Sequence, residues 1–437
     1  MGKRNSFSHL VVTNPKRNGG ALRVSDESLF PYYAGYSKEF AEQLLGTLLL
    51  GDEAIVLDPW NGGGTTTQAA SQMGLACVGL DLNPVMVIVA KAALLQQHEV
   101  SSLIPLAQSL VEQATSRDED GISADPLCEW LLPGNANFIR QLESEINRTL
   151  ISHERYAPLT DEKTLNQISA LGAFFYVALF RAVRRLMKSF IPTNPTWIKR
   201  PHSRERKRPS RYVVHDIFLD EVSLLTQNLN RPRNLFVAEN GVATISLGNA
   251  EALSLPNASV DAIITSPPYC TRIDYAVATA IELAVLRISE ELFKKLRRSL
   301  MGTSTVNANV GNVNKEWGTT CTRFLEKVYE HPSKASQNYY YKNHLQYYES
   351  LQTSLTELSR VLKPHGSCVL VIQDSYYKDV HNDVPTIAVE MAEYAGMTLR
   401  RRDDFSSNRS MVCMNQRAKK YLMSRKNVES VLCFERT

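Results

Sequence analysis

The residues with the clearest chemical potential are Thr-Ser-Pro-Pro-Tyr at positions 265–269, which follow the apolar run Val-Asp-Ala-Ile-Ile at 260–264. Two consecutive prolines remove two backbone N–H donors and stiffen the chain, so the Ser266 hydroxyl and the Pro267 carbonyl are presented outward as fixed acceptors. Such acceptors suit an NH2 group. Tyr269 adds a flat face on which a base can stack. A rigid turn with an aromatic plug has the same composition, so the motif alone leaves both interpretations open.

A second candidate site is rich in glycine. Gly62, Gly63 and Gly64 follow an apolar run at 53–58, and a helical pattern begins directly after them. Glycines after a strand let the backbone approach a ligand closely, and the N-terminus of the next helix favours anionic groups. No lysine follows the glycines, which argues against a Walker-type phosphate loop. A plain connecting turn is the alternative interpretation.

An acidic residue stands at the end of the next apolar strand. Residues 75–80, Leu-Ala-Cys-Val-Gly-Leu, run into Asp81 and then into Leu-Asn-Pro. An acid at such a strand tip can accept hydrogen bonds from both hydroxyls of a ribose, and a solvated carboxylate is the other interpretation. Strand, glycine turn, helix, strand and acid together predict the first half of a doubly wound α/β sheet.

The elements that must position these residues form two α/β segments separated by a helical one. Strand and helix signals alternate in residues 1–95 and 236–437, whereas residues 96–235 contain mainly amphipathic helical patterns. The main elements predicted after the Pro-Pro motif are a helix at 278–300, a helix at 339–362, a strand at 367–372 and an antiparallel pair at 397–403 and 430–434.

The helical segment ends in a dense basic run at residues 199–211. Its basic residues are Lys199, Arg200, Arg204, Arg206, Lys207, Arg208 and Arg211. Glu205 is the only acidic residue within the run, and neighbouring prolines argue against a packed helix. A block of like charges repels itself unless an anion binds it. The run is therefore either a solvated surface or a binding site for nucleic-acid phosphates.

Composition excludes several classes of protein. The chain has 437 residues, of which 43% are hydrophobic, and its 49 Lys and Arg against 45 Asp and Glu give a net charge of +4. These values are typical of a folded soluble protein, and the apolar stretches reach about half of the ~20 residues that a bilayer span needs. None of the seven cysteines forms a C-x-x-C pair, so we expect no metal site, no disulfide scaffold and a cytoplasmic location.

Five blocks together resemble the motifs of S-adenosylmethionine-dependent DNA amino-methyltransferases, which methylate the exocyclic amine of cytosine (N4) or adenine (N6). In chain order the blocks are residues 30–36, 58–66, 81–84, 248–250 and 265–269. The resemblance covers roughly residues 28–95 and 243–437. It implies an α/β fold with a Rossmann-like, seven-stranded methyltransferase sheet that carries a mainly helical insertion.

The resemblance also implies roles for individual residues. The cofactor S-adenosylmethionine is expected at Phe30, Tyr32, Asp58, Trp60, Gly62, Gly63, Gly64, Thr65, Thr66, Asp81, Leu82, Asn83, Asn249 and Ala250. Catalysis is expected at Ser266, Pro267, Pro268 and Tyr269. Within the first set, the methionine end is expected near Phe30 and the glycine loop, the ribose on Asp81, and the adenine near Asn249 and Ala250.

Three positions depart from the usual family pattern. Trp60 stands where the family has Phe, Gly63 where it has Ser, and Asn249 where it has Asp. All three changes are conservative in shape, but Asn249 contributes no negative charge. The cofactor block precedes the catalytic block, as in the alpha-type order of the family, whereas the large insertion lies before the Asn249 strand instead of after it.

These observations predict a DNA methyltransferase that acts on the N4 amine of cytosine, because the resemblance associates Ser-Pro-Pro-Tyr mostly with cytosine. The alternatives are an N6-adenine DNA enzyme, an RNA methyltransferase acting on N2 of guanine or N6 of adenine, and a non-catalytic nucleic-acid-binding module. A cytosine-C5 enzyme would need a nucleophilic Pro-Cys pair, which this chain lacks.

The division of the chain follows from this interpretation. Residues 1–95 and 236–437 would form the two parts of the methyltransferase domain, and residues 96–235 would be the insertion that contacts DNA through the basic run. The resemblance allows a restriction endonuclease or a defence-system protein as a partner and gives no reason to expect a membrane.

Overall fold

The computed structural model describes residues 7–16, 29–31, 35–114, 124–152, 155–192, 197–229, 241–270, 273–307, 311–407 and 427–437. Tyr32, which the resemblance assigns to the cofactor, lies outside these residues.

Nine β-strands lie in the described part of the chain: β1 (Ile55–Asp58), β2 (Ala76–Asp81), β3 (Ala243–Leu247), β4 (Val260–Thr265), β5 (Leu362–Gln373), β6 (Ser375–Tyr377), β7 (Val380–Asn382), β8 (Met397–Ser407) and β9 (Asn427–Arg436). Seven of them form one sheet in the order β3-β2-β1-β4-β5-β9-β8, while β6 and β7 pair as a separate hairpin. Strands β1 to β5 are mutually parallel, and β9 is antiparallel to both β5 and β8.

The described helices are α1 (Lys38–Thr47), α2 (Thr65–Gln72), α3 (Pro84–Ala92), α4 (Leu103–Gln113), α5 (Pro133–Asn147), α6 (Glu162–Gln167), α7 (Ala170–Leu186), α8 (Arg211–Leu229), α9 (Tyr275–Ala278), α10 (Ala280–Val285), α11 (Glu290–Ser299), α12 (Gly318–Glu330), α13 (Tyr341–Val361) and α14 (Val384–Tyr394). Short single turns of 3-10 or π-helix join several of them.

Helices cover both faces of the sheet, which explains why its strands are apolar along their whole length instead of alternating with polar residues. Successive strand residues point to opposite faces. Val56 packs in the cluster formed with α1 and α2, whereas Leu57 packs in the cluster formed with α12, α13 and α14. Ile264 and Ile263 divide between the same two clusters.

The helices between β2 and β3, among them α3, share a third apolar cluster with α10. Arg140 of α5 is fully buried within it. Its guanidinium forms two hydrogen bonds with Asp125, at 2.5 and 2.9 Å, and donates to the carbonyls of Ala284 and Val285 in α10 at 2.6 and 2.5 Å. A buried charge is tolerated when it is fully paired in this way. The helical segment is thereby fastened to the chain that follows the Pro-Pro turn.

The observed architecture confirms the predicted Rossmann-like α/β class, including the antiparallel pair at the carboxyl end of the chain. The single helix expected at 278–300 is wrong, because this stretch contains the last residue of α9 and then two separate helices, α10 and α11. Arg287 adopts a positive φ of 62°, and Ser289 caps α11 by accepting from the Leu292 amide. None of the helices in the described part of the chain combines the length and the apolarity needed to cross a bilayer.

Candidate active site

The carboxyl edge of the parallel strands borders an open cleft. Asp58, Asp81 and Thr265 are the last residues of β1, β2 and β4, so all three strands end at this edge. Ligands of open α/β sheets bind at this position. The cleft is lined by these predicted cofactor and catalytic residues: Phe30, Asp58, Trp60, Gly62, Gly63, Thr65, Asp81, Leu82, Asn83, Asn249, Ala250, Ser266, Pro267, Pro268 and Tyr269.

The Asp81 carboxylate is oriented by the backbone on both sides. The amide of Gly62 donates to Oδ2 at 3.0 Å, and the amide of Asn83 donates to Oδ1 at 2.8 Å. An ionised carboxylate offers about four acceptor positions, so these two contacts leave acceptors for ligand hydroxyls. Burial, with a smaller contribution from the charge of Asp58, raises the pKa of Asp81 to about 6.

The Asp58 carboxylate is engaged mainly by protein groups. The hydroxyls of Thr66 and Thr265 each donate to it at 2.6 Å, and the Trp60 amide donates at 3.2 Å. Burial raises its pKa to about 6, although the two threonine hydroxyls favour the ionised form. Asp58 therefore connects the glycine loop to the end of β4, whereas Asp81 keeps acceptors available to the cleft.

The three glycines of the loop differ in their surroundings. Gly62 and Gly64 have positive φ values of 48° and 82°. A Cβ at Gly64 would lie 2.9 Å from Ala90 of α3, so that position requires glycine for helix packing, whereas a Cβ at Gly63 would meet no atom within 4 Å. Gly64 and Thr66 are not among the residues that line the cleft.

The turn at 265–269 is held in place by hydrogen bonds from three other elements. The Ser266 hydroxyl donates to the Val371 carbonyl of β5 at 2.9 Å, and Tyr347 of α13 donates to the Pro268 carbonyl at 3.0 Å. The Tyr269 amide donates to the hydroxyl of Tyr275 at 3.3 Å. Because the single hydroxyl proton of Ser266 is already donated, its oxygen can act toward a ligand only as an acceptor.

Phe30 forms one wall of the cleft together with a residue that the sequence analysis missed. Its ring is buried, packs edge-on against Phe180 with centroids 6.5 Å apart, and lies 5.4 Å from the guanidinium carbon of Arg184. Arg184 in turn forms a two-point ion pair with the buried Glu282, with N–O distances of 2.6 and 2.8 Å. A residue of α7 thus reaches the cleft from the helical segment and lines it.

Other missed lining residues had a weaker signal in the sequence. Tyr36, Asn61 and Glu251 stand inside or beside the blocks at 30–36, 58–66 and 248–250, so their positions could have been included. The residues that line the cleft from beyond the Pro-Pro turn, including Tyr275, Thr279 and Met301, carry no recognisable motif.

The basic run divides into exposed and engaged residues. Lys199, Arg200, Arg204 and Arg208 are exposed, and Arg200 pairs with Glu129 at 3.1 Å. Lys207 lies 5.5 Å from the ring centroid of Phe190. Arg206 and Arg211 are half-buried. Arg211 belongs to α8, stacks on the ring of Phe138 and donates a hydrogen bond to Gln141. The exposed members are the residues best placed to meet an anionic partner.

The six described cysteines are free thiols and are buried. Within the described ranges, no group of three or more His, Cys, Asp or Glu side chains could hold a metal ion.

Comparisons with known proteins agree with the geometry of the cleft. The profile of the DNA methylase family matches residues 260–437. The chain is similar to the Type II methyltransferase M.AvaI of Nostoc sp. and of Anabaena variabilis, at 25% identity over 412 residues, covering 85% of this chain and 79% of each relative. It is also similar to the Type II methyltransferase M.BsoBI of Geobacillus stearothermophilus, at 23% identity over 292 residues, covering 63% and 55% of the two chains.

The range matched by the DNA methylase profile includes the Pro-Pro turn, which lines the same cleft as the strand-end acids Asp58 and Asp81. Methyltransferases of this kind use S-adenosylmethionine as the methyl donor and modify DNA. Residues 260–437 thus match the DNA methylase family, and the matches together support a DNA methyltransferase that acts on the N4 amine of cytosine or the N6 amine of adenine.

Proposed function

We propose that this chain methylates the N4 amine of cytosine at a specific DNA sequence. The observation that carries the proposal is the hydrogen bond from Ser266 to Val371, which leaves the serine oxygen as an acceptor inside the cleft. Among the described residues, none donates a hydrogen bond to the Pro267 carbonyl, which supplies the second acceptor. Two fixed acceptors beside an aromatic face complement an exocyclic NH2 group on a planar base.

The cofactor fits the residues that are present. S-adenosylmethionine supplies an electrophilic methyl group on a positively charged sulfur. Asp81 retains free acceptor positions for ribose hydroxyls, and the open space beside Gly63 leaves room for a ligand against the loop. Asn249 and Ala250 line the same cleft and would adjoin the adenine ring.

The chain would act on the base mainly by positioning it. The target base has to leave the duplex stack to enter the cleft. Ser266 and the Pro267 carbonyl would then accept the two amine hydrogens, which draws the nitrogen lone pair out of conjugation with the ring. Tyr269 would hold the ring plane by stacking. Alignment and preorganised acceptors lower the barrier without a covalent intermediate on the protein.

Methyl transfer leaves a positive charge on the modified amine and so makes its remaining protons acidic. One proton can then pass to water without a strong base on the protein. Asp58 is accordingly not required as a general base, and its carboxylate is engaged by Thr66 and Thr265.

The curated relatives are Type II methyltransferases, so we also propose a cognate restriction endonuclease as the functional partner of this chain. The cytoplasm is the compartment in which both would meet DNA. The basic run, with its exposed Lys199, Arg204 and Arg208, is proposed to contact the DNA backbone.

Expression of the chain in a host that lacks DNA methylation, followed by single-molecule sequencing of the host DNA, tests the proposal. We expect N4-methylcytosine at one defined sequence, and no modification when Ser266→Ala is expressed at the same level. N6-methyladenine at a defined sequence would reject cytosine as the target and retain the DNA methyltransferase activity.

A further inference from the structure

Helix α11 (Glu290–Ser299) lies beside the candidate active site and is exposed along its length. None of its ten residues is buried. Phe293 and Leu296 are partly buried against the cluster of the helical segment, and the opposite side carries Lys294, Lys295 and Arg298. At 100° per residue these three side chains fall within an arc of about 100° around the helix axis. This arc faces away from the apolar pair. The stripe of Lys294, Lys295 and Arg298 is called the α11 basic face below.

The C-terminal end of α11 is attached to the catalytic turn. Leu300 and Met301, the next residues, line the cleft. Gly302 has a φ of 76°, and a Cβ there would lie 2.6 Å from the Tyr269 carbonyl oxygen, so the chain passes directly over the catalytic turn. Arg297 pairs with Asp274 at 2.7 Å and fixes the helix to the N-cap of α9.

The N-terminal end of α11 is linked to the basic run through α10, the helix that precedes it. Arg200 of the basic run pairs with Glu129 at 3.1 Å, and the short turn Pro126–Glu129 packs against α10. Arg200 is thereby held to the part of the chain that leads into α11.

Two charges of the α11 basic face have no ion-pair partner among the described residues. Lys294 pairs with Glu290 at 2.8 Å, and both partners are well exposed. No ion pair to Lys295 or Arg298 occurs among the residues that the structure describes. Neither side chain stabilises the fold through a salt bridge, so their like charges remain available for an external anion.

We propose that α11 is a DNA-binding helix whose basic face holds the phosphates that flank the flipped nucleotide. The inference rests on the proposed function, since it takes a base of duplex DNA to enter the cleft. An extruded nucleotide stays joined to its neighbours through its own phosphates. Those phosphates must lie at the rim of the cleft, which is where α11 ends.

The occupant is duplex DNA because of the sign and spacing of the charges. Phosphate oxygens are bound by lysine and arginine at surfaces of this kind, and the binding weakens with salt in proportion to the number of contacts. An acidic protein partner would also be attracted, but it would then cover the entrance that the substrate base needs.

The test is a pair of double variants measured by fluorescence anisotropy on a labelled duplex over a salt series. Lys295→Ser with Arg298→Ser removes two charges from the α11 basic face. Arg323→Ser with Lys327→Ser removes two exposed charges from α12, which packs with the other apolar cluster. Two lost phosphate contacts should reduce the steepness of log affinity against log salt by about 1.8, at roughly 0.9 per contact. The α12 control should keep the slope of the unmodified protein.

Equal slopes for the α11 variant, the α12 control and the unmodified protein would overturn the inference, as would an unmodified protein that fails to bind duplex DNA. Calorimetry with S-adenosylmethionine should give the same affinity for all three proteins, which shows that a changed slope does not come from misfolding. If the unmodified protein methylates adenine, the proposed cytosine specificity fails while a reduced slope for the α11 variant still supports this inference.

Discussion

The hydroxyl of Ser266 lies 2.9 Å from the carbonyl oxygen of Val371 and donates its proton to it. This contact joins the turn at 265–269, which follows β4, to the neighbouring strand β5. It also limits what the serine can offer a ligand, because an oxygen that has donated its only proton can accept but cannot donate again.

Ser266→Ala should therefore reduce the rate of methyl transfer without lowering the affinity for the cofactor. Loss of one preorganised acceptor costs roughly 100-fold in the rate of the chemical step. Single-turnover transfer of labelled methyl groups measures that rate, and calorimetry measures cofactor affinity. Ser259→Ala is the matched control, since Ser259 also donates to a backbone carbonyl, at 2.8 Å, but at the opposite end of β4. A full rate in Ser266→Ala would remove the serine from the mechanism.

Tyr269 should act through its ring. Tyr269→Phe retains the aromatic face and should keep kcat/KM for DNA within about a factor of three, whereas Tyr269→Ala loses a stacking contact of about 1–3 kcal/mol and should lower it roughly 5- to 150-fold. Steady-state assays on a duplex with the recognition site separate the two variants. Equal activity of the alanine and phenylalanine variants would mean that stacking has no role.

Asp81→Ala should lower the affinity for S-adenosylmethionine at least about tenfold, because hydrogen bonds to a charged group contribute roughly 1.5–3 kcal/mol. Calorimetry provides the measurement. Asp261→Ala is a control at the other end of β4, where the carboxylate accepts from the Ile55 amide and pairs with Lys363. Cofactor binding that is equally strong in folded Asp81→Ala and in the control would contradict the assignment.

Cofactor binding should also depend on pH. The pKa of Asp81 is raised to about 6, so the group is ionised above this pH and protonated below it. Ribose hydroxyls donate best to the ionised form, and affinity should decline as the pH falls from 7.5 through 6 to 5. Asp81→Ala should flatten this dependence. A decline of the same size in Asp81→Ala would assign the titration to another group, such as Asp58, whose pKa is also raised to about 6.

The exposed part of the basic run should contribute to DNA affinity without affecting sequence preference. Changing Lys199, Arg204 and Arg208 to Ser removes up to three phosphate contacts and should reduce the salt slope by about 2.7. Anisotropy on specific and random duplexes is the measurement. Substitution of the exposed Arg323, Lys327 and Lys334 controls for net charge. An unchanged slope would identify the run as a solvated surface.

Local sequence patterns predicted the central strands. Each of these strands is buried on both faces, so its sequence is an apolar run that ends in a polar residue. The strand before Asp58, the strand before Asp81 and the strand before the Pro-Pro turn all follow this rule. The glycine loop and the acid were predicted for the same reason. Their roles in binding remain predictions.

The features that sequence reasoning missed depend on long-range packing. Arg184 lies on α7 within an amphipathic pattern, and only the fold brings it to the Phe30 ring and to Glu282. The break before α11 had a usable signal, because Ser289 followed by two glutamates is typical of a helix start. The difference between Asp58, whose carboxylate is engaged by protein groups, and Asp81, whose carboxylate keeps acceptors for a ligand, could not be predicted. It depends on the hydroxyls of Thr66 and Thr265, which come from two other elements.

The central claim is that the Ser266 and Pro267 acceptors present the N4 amine of cytosine for methylation. Duplex DNA incubated with the purified protein and S-adenosylmethionine, digested to nucleosides and analysed by mass spectrometry, tests this claim most directly. We predict N4-methyldeoxycytidine in the reaction with the unmodified protein and its near absence with Ser266→Ala. Detection of N6-methyldeoxyadenosine alone, or of equal N4-methyldeoxycytidine in both reactions, would contradict the claim.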